Sequence, residues 1–251
     1  MAGHSKWKNI QHRKGRQDAI KGKIFAKLSK EIYVAARRGD KDPANNNQLR
    51  LAIAKAKSQN MPNDNIERAI KKAAGEGDGS NYESIMYEGY GPDGIAVLVE
   101  ALTDNRNRTA ADVRFAFTKR GGNLGESGCV SWMFHRYGVI EIAKEEVSID
   151  EEEMELLLLD LDPEDIEITE ESYIVYVSPD RLEEVQEQLQ STHHICLSSA
   201  DVMMIPENKI HVKGDTIKKV LDLIETLEDH DDVQAVFTNF DADEEEIEKF
   251  S

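Results

Sequence analysis

The glycine run Gly75-Glu-Gly-Asp-Gly79 cuts this chain into two parts that no single hydrophobic pattern spans. Before it, apolar residues recur with the period of a helix. After it, runs that alternate like strands are interleaved with shorter helical runs. Charge splits at the same place. Residues 1–74 hold 18 Lys and Arg against 6 Asp and Glu, a net +12; residues 75–251 hold 13 against 43, a net −30; together they give the chain's −18. A basic block joined to an acidic body points to a polyanionic partner met through one end, with nucleic acid as the first candidate.

At 251 residues, with 39% hydrophobic and 32% charged residues, the chain suits two or three modest cores under a large solvated surface. No apolar run approaches the roughly 20 residues that cross a bilayer, and the start lacks the apolar segment of a secretory signal. Cys129 and Cys196 are the only cysteines, so no disulfide framework is implied and a reducing cytoplasm is the expected location.

Residues 1–16 are polar, basic and aperiodic, and are expected to be a mobile tail that orders on a partner. A helix is expected over about 17–38. It has Ile24, Phe25, Leu28, Ile32, Ala35 and Ala36 on one side and Lys23, Lys27, Lys30 and Arg37 on the other, so the basic side reads as an outer stripe. Gly39-Asp40 ends it and Pro43 forbids continuation. A second helix spans about 46–58. A third starts near Pro62, with Asn63 or Asp64 as its cap, and buries Ile66, Ala69, Ile70 and Ala73.

Beyond the glycines, strands are expected at 82–90 and 95–102 around a Gly91–Gly94 turn, with a capped helix opening at Thr109–Asp112 and a strand at 129–134. Residues 135–206 then read β-α-β-β-α-β, the ferredoxin-like order. The helix near 216–227 and the strand at 233–238 cannot bury their apolar faces alone. They are expected to return and complete the 79–134 layer. The fold class is therefore α+β: a three-helix domain (1–78) with a flexible tail, an α+β domain (79–134 with 207–240), a ferredoxin-like α+β domain inserted into it (135–206), and a frayed acidic tail (241–251).

Several segments resemble the YebC/PmpR family: Gly3-His-Ser-Lys-Trp-Lys-Asn-Ile10, His12-Arg-Lys14, Lys21-Gly-Lys-Ile-Phe25 and Asn60-Met-Pro-Asn-Asp-Asn-Ile-Glu-Arg-Ala-Ile-Lys-Lys72, then Tyr87-Glu-Gly-Tyr-Gly-Pro92 and Leu102-Thr-Asp-Asn-Arg-Asn-Arg-Thr109. The similarity runs nearly end to end and is densest through residue 134. It implies three domains, helical then two α+β, with no known catalytic activity, and no cofactor is expected. It also implies nucleic-acid binding, described in some members as transcriptional regulation at DNA and in others, including mitochondrial relatives, as translation on the ribosome.

The binding residues expected on this basis are Lys6, Lys8, Arg13, Lys14 and Arg16 in the tail and Lys21, Lys23, Lys27, Lys30, Arg37 and Arg38 in the first helix. Such side chains neutralise phosphates without reading bases. Trp7 and His12 lie among them and suit stacking on an unpaired base. Arg106, Arg108, Arg114, Lys119 and Arg120 form a second cluster that would extend the surface. The plainer reading is a solvated helix face for the first group and a polar loop with ordinary helix-surface charges for the second. Gly121–Gly128 lacks the Gly-Lys-Ser/Thr ending of a phosphate loop and reads as turns. His193-His194-x-Cys196 lacks partners at metal-ligand spacing. A nuclease would need carboxylates clustered beside the basic surface, whereas here the two signs are segregated. The expected function is a non-enzymatic regulator on DNA, or alternatively a ribosomal RNA-binding translation factor, with the acidic domains free for a protein partner and with no membrane or small-molecule substrate.

Overall fold

The computed structural model describes residues 17–75 and 81–250, with side chains from Gly22 onward. Three helices come first: α1 (Gln17–Arg38), α2 (Asn47–Ser58) and α3 (Asn63–Ala74). Leu28, Ile32, Tyr33, Leu49, Ala56, Ile66 and Ala73 form their shared core. Ala35, Ala36, Ala56, Ala69 and Ala73 are part of that core, so the helices pack closely around little volume. Asn46 sets the α1–α2 corner. Its amide donates to the carbonyls of Ala35 and Asp40 at 2.9 and 2.7 Å, and its oxygen caps α2 by accepting from Leu49 N at 3.1 Å. Pro62, with no side-chain cap, precedes α3, so Asn63 and Asp64 lie inside the helix rather than capping it.

Strands β1 (Glu83–Tyr90) and β2 (Ala96–Thr103) form an antiparallel hairpin. Its turn places Asp93 at φ 55° and Gly94 at φ 77°, the left-handed region that Asp and Gly tolerate. Helix α4 (Arg106–Lys119) starts a turn earlier than the sequence suggests, because the Asn105 side chain accepts from Arg108 N and takes the capping role assigned to Thr109. After α4 comes the short strand β3 (Asn123–Leu124), which pairs with β1. The strand expected at 129–134 is instead a turn and a 3-10 helix over Ser131–Met133. The backbone amides of that stretch turn inward to a carboxylate, described below, and are lost to any sheet.

Residues Phe134–Glu207 are one compact unit. It contains β4 (Phe134–Ala143), α5 (Glu151–Asp160), β5 (Asp165–Ile168), β6 (Ser172–Val177), α6 (Leu182–Glu187) and β7 (Ser199–Pro206). The sheet order β5-β6-β4-β7, antiparallel throughout, is the ferredoxin-like order. Ile140, Ile142, Met154, Leu158, Val175, Val185 and Leu189 form its core.

The remaining elements belong to the other unit, with the helices and the first hairpin. They are β8 (Ile210–His211), α7 (Asp215–Glu228), β9 (Val233–Thr238), β10 (Phe240–Asp241) and α8 (Glu244–Glu248). Strand β9 pairs antiparallel with β2 and completes the sheet β3-β1-β2-β9, while α4 and α7 supply Val113, Phe117, Val220, Leu221 and Ile224 to the core beside it. The C-terminal segment is not frayed as expected. Strand β10 pairs in parallel with β8, and Ala242 and Ile247 are fully buried in this core, so the hydrophobic gain fixes a segment whose acidic composition suggested solvation.

Gly89 is required for the close approach of β3 to β1. A Cβ on Gly89 would lie 2.5 Å from Asn123 O and 2.8 Å from Phe117 Cε1. Gly89→Ala is expected to force β3 or the fully buried Phe117 ring aside and to cost about 2 kcal/mol, read as a lower urea midpoint with an unchanged m-value.

Candidate nucleic-acid interface

Lys6, Trp7, Lys8, His12, Arg13, Lys14 and Arg16 lie outside the described residues, as does the side chain of Lys21. The rest of the α1 stripe is only partly an outer face: Lys23, Arg37 and Arg38 are exposed, while Lys27 and Lys30 are half-buried. Positions 23, 27 and 30 fall on one side of the helix, the spacing that aligns side chains, and that side meets the acidic turn Glu228-Asp-His-Asp-Asp232 between α7 and β9. Lys23 Nζ pairs with the Asp229 carboxylate at 2.8 Å. Lys27 Nζ donates to the Glu228 carbonyl at 2.6 Å. Lys30 Nζ reaches Asp232 at 2.9 Å, the Asp231 carbonyl at 3.0 Å and the Leu102 carbonyl at 3.3 Å. Further along α1, Arg37 donates to the carbonyls of Ala73 and Gly75, and Arg38 to that of Tyr82.

Asp232 joins this row to the second predicted cluster. It is 5% exposed and accepts from Lys30, from Arg108 at 2.8 Å, and from the hydroxyls of Thr109 at 2.8 Å and Thr103 at 3.2 Å. Burial would push its carboxyl up. The hydrogen bonds from Arg108, Lys30 and Thr109 outweigh burial and hold it well below the usual carboxylate range. Arg108 also bonds Asp104 at 3.0 Å, and its guanidinium is held charged most of all by the Asp232 hydrogen bond. The Asp229 hydrogen bond likewise raises Lys23.

Arg120 is turned to Asp222 and Thr226 of α7. Arg106 and Arg114 are exposed on α4, and Lys119 lies 5.6 Å from the centre of the exposed Phe115 ring. The structure therefore brings Lys30 and Arg108 to one carboxylate and leaves Arg106, Arg114 and Lys119 on the surface. Sequence reasoning missed Asp232, Asp229, Thr103 and Thr109. The acidic run 228–232 was visible in the sequence, and its signal was that it follows an amphipathic helix that must pack.

The glycine-rich stretch 121–128 ends in a cradle that is already filled. Glu88, on the middle of β1 and 6% exposed, accepts from the backbone amides of Gly128 at 2.7 Å, Val130 at 2.9 Å and Ser131 at 2.8 Å. These are the amides a phosphate would need. Burial raises this carboxyl, but the three amides, joined by the Ser131 side chain, bring it below its ordinary value. Tyr90 Oη and Trp132 Nε1 both donate to the Cys129 carbonyl, at 3.0 and 3.1 Å, so the carboxylate-held loop fixes two rings at the surface. Among the described residues no helix is long and apolar enough to cross a membrane.

A family model described as the TACO1/YebC protein N-terminal domain matches residues 5–76, and another, the TACO1/YebC second and third domain, matches residues 82–240. A probable transcriptional regulatory protein of Geobacillus is 57% identical over 241 residues, covering 96% of this chain and 98% of that one. A probable transcriptional regulatory protein of Bacillus subtilis is 56% identical over 240 residues, covering 96% and 99%. The crystal structure of a conserved hypothetical protein from Aquifex aeolicus superposes with a TM-score of 0.80 at 46% identity, covering 90% of this chain and 92% of that one.

Proposed function

Since this chain belongs to the TACO1/YebC family, we propose that it is a non-enzymatic regulator that binds DNA through its basic N-terminal domain. The reading is carried by the charge segregation: residues 1–74 are net +12 on a chain of net −18. Long-range phosphate attraction draws that end to a polyanion, and the acidic remainder limits contact to it. The names of the Geobacillus and Bacillus relatives support a regulatory role. The cations that suit phosphates are those of the basic 1–16 sequence and the exposed α4 side chains Arg106, Arg114 and Lys119, whose flexible heads favour backbone contact over base reading.

Binding to a labelled duplex should weaken by about 100-fold between about 50 and about 200 mM salt, the slope for about four neutralised phosphates. Removing residues 1–16 should flatten that slope. An affinity indifferent to salt would refute the proposal. Co-sedimentation with ribosomes, without promoter footprints, would move the target to ribosomal RNA.

A further inference from the structure

We propose that the acidic turn 228–232 is an internal substitute for a phosphate backbone, and that nucleic acid gains the lysines of α1 by displacing it. The inference rests on the DNA-binding reading above and concerns how that site is regulated. Three lysines on one helical row, spanning about 10 Å, each meet an oxygen of this turn or its flank: the Glu228 carbonyl, the Asp229 carboxylate, and the Asp231 carbonyl with the Asp232 carboxylate. Ammonium groups engage phosphate oxygens in the same way. The lysine stripe is therefore occupied, and phosphates reach it only in competition with the chain's own anions.

The clasp is graded. At one end, the Lys23 and Asp229 side chains are 50% and 65% exposed, an ion pair that water and salt screen. At the other, the Lys30 and Asp232 side chains are 15% and 7% exposed and sit in the Arg108–Thr109 network. A phosphodiester chain arriving from the N-terminal side meets the weak end first. It takes Lys23 and then Lys27, which lies one turn further along the row and donates to the Glu228 carbonyl. Lys30 stays with Asp232 and holds the helices on the sheet. Because Asp231 adds to the field that keeps Lys23 charged, the competing anions at the weak end are Asp229 and Asp231. Binding and release of the turn are then linked: whatever loosens the turn tightens nucleic acid, and nucleic acid loosens the turn.

The test uses the full chain, a fluorescein-labelled DNA duplex and two doubly neutralised variants. Asp229→Asn with Asp231→Asn removes the competing charges. Glu152→Gln with Glu155→Gln removes two exposed charges from α5 and controls for net charge. All four positions are exposed, so both variants should melt with the wild type. The first should bind about three- to fivefold tighter than the wild type, the range set by releasing one exposed ion pair, and the control should match the wild type. In hydrogen exchange, the amides of Asp229 and His230, which bond back to Glu225 and Leu227, should exchange faster when DNA binds the wild type. Equal affinity of all three proteins, an equal gain in both variants, or protection of these amides by DNA would overturn the displacement and leave the DNA-binding reading standing. A wild type that binds no duplex at low salt would remove both.

Discussion

Asp232→Ala should lower the unfolding free energy by about 4 kcal/mol, the cost of breaking a buried charged network from one side. The substitution leaves the half-buried ammonium of Lys30 and the hydroxyls of Thr103 and Thr109 facing each other with their common acceptor gone. Asp229→Ala, at the exposed end of the same turn, should cost no more than about 1 kcal/mol. The contrast separates the anchor from the displaceable end of the clasp, and urea titration of both variants measures it. A loss below about 1 kcal/mol for Asp232→Ala would mean that the network is not formed in solution. The pH dependence has a definite sign. The folded-state carboxyl is lowered, so its stabilisation is complete above its unfolded value near about 4 and drains away as pH falls through the folded one. The gap between wild type and Asp232→Ala should therefore narrow below about pH 4 and stay constant from there towards neutrality.

Glu88→Ala should cost a similar amount, about 4 kcal/mol, because three amide donors lose a charged acceptor in a largely buried place. Its effect is local as well as global. The 125–131 loop loses what holds it, and with it the Cys129 carbonyl to which Trp132 and Tyr90 are tied. Trp132 and Trp7 are the only tryptophans, so a Trp7→Phe background reports the loop directly, as a red shift and lowered anisotropy of Trp132 emission. Glu88→Gln should recover less than half the stability, since its amide nitrogen turns a donor towards donors. An unshifted emission in Glu88→Ala would show that the loop is held by other contacts.

Periodicity made the helices and most strands legible. Helix α1 and strand β9 have the bounds their patterns suggest, and the antiparallel β5-β6-β4-β7 sheet follows from the β-α-β-β-α-β order. What stayed hidden was decided by tertiary contacts. Residues 129–134 have the composition of a strand, but Glu88, some 40 residues earlier, claims their amides. Six of the last eleven residues are acidic, yet Ala242 and Ile247 carry the segment into the core. The α1 stripe shows the same limit from the other side. A helical wheel separates lysines from apolar residues, but it does not distinguish a face that meets solvent from one that meets an acidic turn some 200 residues away.

The pairing of β2 with β9 has a consequence in time. Val97 and Thr238 are partners, so a chain emerging from its amino end carries β1 and β2 without the strand that finishes their sheet until residues 233–238 have been made, and contacts of such long range form late. The turn that engages α1 precedes β9 immediately and arrives just as late. A nascent chain therefore carries its lysine row without these partners until residues 228–232 have been made, and the stretch that completes the sheet is also the one that brings them to it.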